Sequence, residues 1–204
     1  NLGAGDNKLH IAKRSLGSLS SSSRNSLSDY YIVNDINSTY DLGLNEGSYS
    51  QISDMKVGDN YIFISFYGTG TTIFNKVLKI NINDMDDFEI IELPDAPSYT
   101  ENTLSENWTT SYKYNSLSVI DNDKFIISSG GIGKLYYYNG TEVIDIVGQV
   151  ESFERPISIN YNNGYVYLID ESQELKDCNS NASLCYSDFY FYKIKLDNLL
   201  KISA

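Results

Sequence analysis

Three stretches of this sequence share one construction: "QISDMKVGDNYIFISFYG" from Gln51, "NSLSVIDNDKFIISSGG" from Asn115 and "RPISINYNNGYVYLIDES" from Arg155. In each, a short alternating strand enters a turn of Gly, Asp and Asn ("GDN", "DND", "NNG") and leaves as a strongly apolar and aromatic strand. Such turns supply the positive φ that tight hairpins need. The match continues into third strands ("TIFNKVLKINI", "GKLYYYNG", "DFYFYKIKLDN") and fourth strands ("FEIIELP", "TEVIDIVG", "LLKISA"). The reading is an all-β chain in which a four-stranded antiparallel meander occurs three times.

Tyr61, Lys124 and Tyr165 are equivalent positions, 63 and 41 residues apart. The shorter spacing fits the roughly 40–50 residues of a propeller blade. The longer one is explained by a polar insertion at residues 96–113, "APSYTENTLSENWTTSYK". The expected blades span about 50–95, 114–150 and 155–204, with residues 29–49 as the last strands of an earlier, partial blade. Residues 1–28 are set apart, because "SLGSLSSSSRNSLS" has no core pattern and reads as a flexible Ser-rich segment. A strand wrapped over a partner through Leu16, Leu19 and Leu27 is the other possibility for it.

Over residues 29–204 the pattern resembles the secreted β-propeller repeat proteins, without a WD dipeptide, a regular kelch double glycine or an Asp-box. The resemblance implies blades whose loops carry any binding. Propellers typically have about four to eight blades, and unclosed blades leave apolar faces and strand edges in water. Another protein chain, or further blades of the same protein, is therefore the expected partner. A two-sheet β-sandwich of the same strands is the structural alternative.

Composition agrees with strands and restricts partners. The chain has 18 Tyr and 3 Pro in 204 residues, and no long window repeats apolar residues at helical spacing. A net charge of −12 repels nucleic acid and anionic lipid, both of which are held through Lys and Arg. No apolar run approaches the roughly 18 residues needed to cross a bilayer, so neither nucleic-acid binding nor membrane insertion is expected.

"SGGIGKLYYYNG", Ser129–Gly140, sets three glycines ahead of a lysine, as a phosphate cradle would. A P-loop requires Ser or Thr after the lysine and a helix beyond it. Here Leu135 follows Lys134 and a strand pattern continues, so Gly130, Gly131 and Gly133 are read as a hairpin turn.

Catalytic groups are scarce. His10, the single histidine, precedes the Ser-rich segment, and Arg14 and Arg24 lie in the same tail, leaving Arg155 alone in the repeats. A Ser-His-Asp triad, a multi-His metal site or an arginine cluster therefore has no source within the blades. A carboxylate pair remains available. Asn81–Glu92, "NINDMDDFEIIE", offers oxygens at Asn81, Asn83, Asp87, Glu89 and Glu92, but Met85 takes a ligand position and Asp86 stands where a calcium loop turns on Gly. It is read as an acidic loop between third and fourth strands, with no cofactor expected and calcium near Asn81, Asn83 and Asp87 the minor alternative.

Cys178 and Cys185 flank a polar loop without a histidine, which suits a local disulfide in an oxidising compartment or else two free thiols. Sequons at Asn37, Asn107, Asn139 and Asn181 are glycosylation candidates, or chance in a chain rich in Asn, Ser and Thr. In the insertion, Trp108, Tyr112 and Tyr114 form a candidate platform for a glycan or peptide. These features together predict an extracytoplasmic (secreted, periplasmic or cell-surface), non-catalytic module for protein or glycan binding or surface assembly. The alternative is a glycan-active hydrolase or lyase with a carboxylate pair on a propeller rim.

Overall fold

The computed structural model describes residues 40, 42, 51–69, 76–94, 111–129, 133–146, 153–154, 156–171 and 188–200. The chain divides into two compact units, Asn1–Glu46 and Gly47–Ala204. In the first, Tyr40 and Leu42 are buried and Tyr40 is helical, and the rest of the partial blade expected at 29–49 lies outside the described residues.

The second unit is all-β, with three antiparallel sheets in chain order. The first meander is β1 (Gln51–Val57), β2 (Tyr61–Thr69), β3 (Lys76–Asn81) and β4 (Phe88–Glu92). The second is β5 (Ser111–Asp121), β6 (Lys124–Ser129), β7 (Lys134–Tyr138) and β8 (Val143–Asp145). The third is β9 (Pro156–Asn162), β10 (Tyr165–Glu171) and β11 (Phe189–Lys195). The end of β2 runs past β3 and pairs Tyr67–Thr69 with Ser111–Lys113, joining the first two meanders.

The hairpins follow from their turns. Asn163 and Gly164 both have positive φ, 49° and 81°, as a tight Asn-Gly turn requires. Each first strand also bulges at one equivalent place, with Ser53, Asn115 and Ile157 as the extra residues. Beside two of these bulges a buried serine of the second strand closes onto the first strand's backbone: Ser65 Oγ donates to Asp54 O at 3.4 Å, and Ser128 Oγ to Ser116 O at 3.4 Å. The repeat is thus preserved in hydrogen bonding as well as in strand order.

Two expectations need correction. The second meander begins at Ser111, inside the segment assigned to the insertion, because those residues find backbone partners on β2. The chain leaves the third meander through α1 (Leu196–Leu200), so Leu199 and Leu200, where the fourth strand was expected to begin, are helical, and the rest of that strand, 201–204, lies outside the described residues. Leu196 N–H bonds Gly164 O at 2.9 Å, and Leu196, Leu199 and Leu200 fall at helical spacing, which turns Leu199 into the core.

The second meander is buried on both faces. Phe125, Ile127, Tyr136 and Tyr138 pack with Phe63, Val77 and Ile91 of the first meander, whereas Ile126, Leu135 and Tyr137 pack with Ile159, Val166 and Leu168 of the third. Alternate residues of one strand feed two cores, which is why "KFIIS" carries no polar alternation. The first strands also sit side by side, β1 next to β5 and β5 next to β9.

Candidate functional site

Side chains of the first strands bridge the three meanders. Asp54 Oδ2 accepts from Leu117 N–H at 2.9 Å and Ser116 Oγ at 3.3 Å, while its Oδ1 accepts from Met55 N–H at 2.8 Å and Lys56 Nζ at 3.0 Å. Ser116 Oγ in turn accepts from Ile159 N–H at 3.2 Å, and Ser118 Oγ from Tyr161 N–H at 2.7 Å. One row of short polar side chains therefore ties β1 to β5 and β5 to β9.

Among the described residues, a group of ionisable side chains lies between the first and second meanders. Lys79 on β3 is buried, and its Nζ donates to Asp123 Oδ1 at 2.7 Å and Glu89 Oε2 at 3.3 Å, 4.5 Å from the centre of the Tyr61 ring. Tyr138 OH donates to Glu89 Oε1 at 2.7 Å. Burial alone would lower the Lys79 ammonium, but the Asp123 hydrogen bond and the Glu89 charge outweigh it and hold it above the ordinary lysine value. Burial, reinforced by Glu89, pushes the Tyr138 phenol well above its ordinary range. The lysine stays charged and the phenol stays neutral through physiological pH, so the group clamps two sheets together and is not poised for proton transfer.

The clamp repeats. Lys193 on β11 occupies the position equivalent to Lys79, and its Nζ lies 4.5 Å from the Tyr165 ring, as Lys79 lies from Tyr61. In the second meander the two residue types exchange places: Lys124 stands where Tyr61 and Tyr165 stand, and Tyr137 where the lysines stand. Sequence reasoning missed this group. The available signal was Lys79 itself, a lone charge at an inward position of the apolar "KVLKIN".

The clamp has a pH signature. Both groups have raised folded-state values, so the native chain binds more protons than the unfolded chain above the ordinary values of 10.5 for Lys79 and 10.0 for Tyr138. Their contribution is fully present below about pH 10 and is lost as pH rises beyond it. We expect urea midpoints to be insensitive to this clamp from pH 6 to 9 and to fall above pH 10. The double variant Lys79→Met with Tyr138→Phe should make that alkaline limb shallower, the remainder belonging to Lys124, Lys134, Tyr136 and Tyr137, whose values are also raised. An unchanged slope would refute the assignment.

The residues singled out in the sequence distribute as follows. Trp108, Cys178, Cys185, Asn37, Asn107, Asn181, Gly130 and Gly131 lie outside the described residues. Tyr112 and Tyr114 are strand residues of β5, opposite Gly68 and Ser129, and Ser129 Oγ is buried without a hydrogen-bond partner. Ser129 pairs with Lys134, so β6 and β7 form the hairpin expected there, with Gly133 at φ 65° just before β7 and Lys134 ion-paired to Asp145 on β8.

Asn81 and Asn139 do the same job in two meanders. Each begins the turn between third and fourth strands, Asn81 Oδ1 accepting from Asn83 N–H at 2.9 Å and Asn139 Oδ1 from Thr141 N–H at 2.9 Å. Asn81 Nδ2 also donates to Asp87 Oδ2 at 2.8 Å, so these side chains hold the acidic loop in shape. Among the described residues no group of three or more His, Cys, Asp or Glu is arranged to hold a metal.

A family model described as a domain of unknown function (DUF4221) matches residues 16–201, a span that takes in part of the Ser-rich segment as well as all three meanders. No curated protein and no solved structure matches the chain.

Proposed function

The chain belongs to the DUF4221 family, a domain of unknown function, and from its structure we propose a non-catalytic binding or assembly module in which the three meanders are successive blades of a propeller. The side-by-side row of first strands, tied by Asp54, Ser116 and Ser118, carries this reading. Blades around an axis place their first strands innermost and stack face on face, as the two cores do here. Further blades, from this protein or another chain, complete the ring. The module acts outside the cytoplasm, and its ligand is a protein or a glycan.

The binding surface is assigned to the insertion before β5 and the start of that strand, with Trp108 as the aromatic anchor and Tyr112 and Tyr114 beside it. Exposed aromatic side chains give large contact area for little lost rotamer entropy. Because Ser111–Lys113 belong to β5, a deletion that spares the sheet is confined to 96–110. With a glycan array as the screen, Trp108→Ala should weaken any captured ligand by about tenfold or more at unchanged thermal stability. Binding that survives both Trp108→Ala and the deletion would move the site elsewhere. Turnover of a bound glycan by the wild-type chain would replace the binding reading with the carboxylate-pair enzyme.

A further inference from the structure

β3 and β7, the third strands of the first two meanders, each pair with a fourth strand, whereas β11 among the described residues pairs with β10 alone. The chain leaves β11 for α1, and the Leu196 N–H bond to Gly164 O carries the helix back over the β9–β10 turn instead of along the open edge. That same bond fixes which backbone groups point outward. Leu196 and Gly164 are hydrogen-bonded, so in an antiparallel ladder Ile194, Tyr192 and Tyr190 bond to β10, and Phe189, Phe191, Lys193 and Lys195 present N–H and C=O to the outer edge. Phe189, Tyr190 and Phe191 are 62%, 46% and 69% exposed.

We propose that this edge pairs with the β11 edge of a second copy of the chain, antiparallel about a two-fold axis at Tyr192. The sequence of β11, "FYFYKIK", is self-complementary in that register. Phe191 lies opposite the second copy's Lys193, and Phe189 opposite its Lys195, so every lysine meets an aromatic ring and none meets another lysine. On the other face Tyr190 meets Ile194. Lysines usually blunt an exposed edge; here the register turns them into ring contacts of the kind Lys193 already makes with Tyr165, at 4.5 Å. The result is a continuous six-stranded sheet across the two copies. The pairing requires only the third meander, so it holds whether the sheets belong to a ring or to a sandwich.

One strand edge buries less than the roughly 1,200 Å² of a small stable interface, so association in the micromolar range is expected. Sedimentation velocity of the 204-residue chain should show a reversible dimer of the 23.0 kDa protomer at physiological salt. Phe191→Lys sets lysine against Lys193 on both sides of the axis and should give monomer, at small cost to folding because Phe191 is largely exposed and loses a ring contact with Tyr167, at 6.2 Å. A urea midpoint close to that of the wild-type chain separates the loss of dimer from a loss of fold. Adding Lys193→Glu to Phe191→Lys sets opposite charges in register and should restore the dimer. A wild-type chain that is monomeric at high micromolar concentration overturns the proposal. So does a Phe191→Lys chain that still dimerises, or a double variant that stays monomeric.

Discussion

Replacing Gly133 by alanine is expected to destabilise the chain by about 4 kcal/mol or more, in the range reserved for backbone strain combined with a clash in a packed interior. Gly133 has φ 65°, a left-handed conformation that costs other residues about 1–2 kcal/mol. The larger part comes from what stands next to it. A Cβ at this position would collide with the carbonyl oxygen of Phe153 and lie 3.2 Å from its carbonyl carbon. Backbone cannot swing aside as a side chain can, and Phe153 is anchored in the core between the second and third meanders. Gly164 is the internal control, with φ 81° and nothing within 4 Å of its Cβ position. Gly164→Ala should cost only the conformational strain, about 1–2 kcal/mol. Equal losses at the two positions in urea denaturation would show that the close approach to Phe153 is not what Gly133 serves.

That glycine also marks how far the sequence could be read. "SGGIGK" was legible as a hairpin because turn chemistry is local: glycines between two apolar runs admit few alternatives. Asn163–Gly164 and the Asn81 loop were legible for the same reason. The strands "YIFISF", "KFIIS" and "YVYLI" announced themselves as apolar runs between turns, and their continuous apolarity is now explained by burial of the middle meander on both faces. What escaped was set by distance along the chain. Lys79 meets Glu89 ten residues on and Asp123 forty-four residues on, and no local pattern encodes those meetings. The start of β5 was misplaced because polar Ser111–Lys113 become strand only through the end of β2. The short "LDNLL" reads equally as strand or helix until Leu199 is seen to have a core to enter. Of the candidate ligand platform, the place of Tyr112 and Tyr114 in a ladder was not visible in a polar stretch.

Phe125→Ala should be the next largest loss, about 3–5 kcal/mol, the range for removing a fully buried aromatic ring. Phe125 is 0% exposed, with its ring centre 5.5 Å from that of Phe63 and 5.2 Å from that of Tyr138. The first contact crosses from the second meander to the first; the second is within its own sheet and stacks on the phenol that holds Glu89. The ring therefore supports the polar clamp from below as well as filling the core. Part of its loss should accordingly be shared. In a double-mutant cycle, Phe125→Ala and Phe63→Ala should couple by about 0.5–1.5 kcal/mol, the surplus expected of an aromatic pair beyond its buried area. Phe125→Leu keeps most of the volume but not the ring, and should lose the coupling while costing less in total than alanine. If Phe63 and Phe125 prove additive, the first two meanders are not held together through these rings, and their association rests on the Lys79 clamp and the β2–β5 pairing instead.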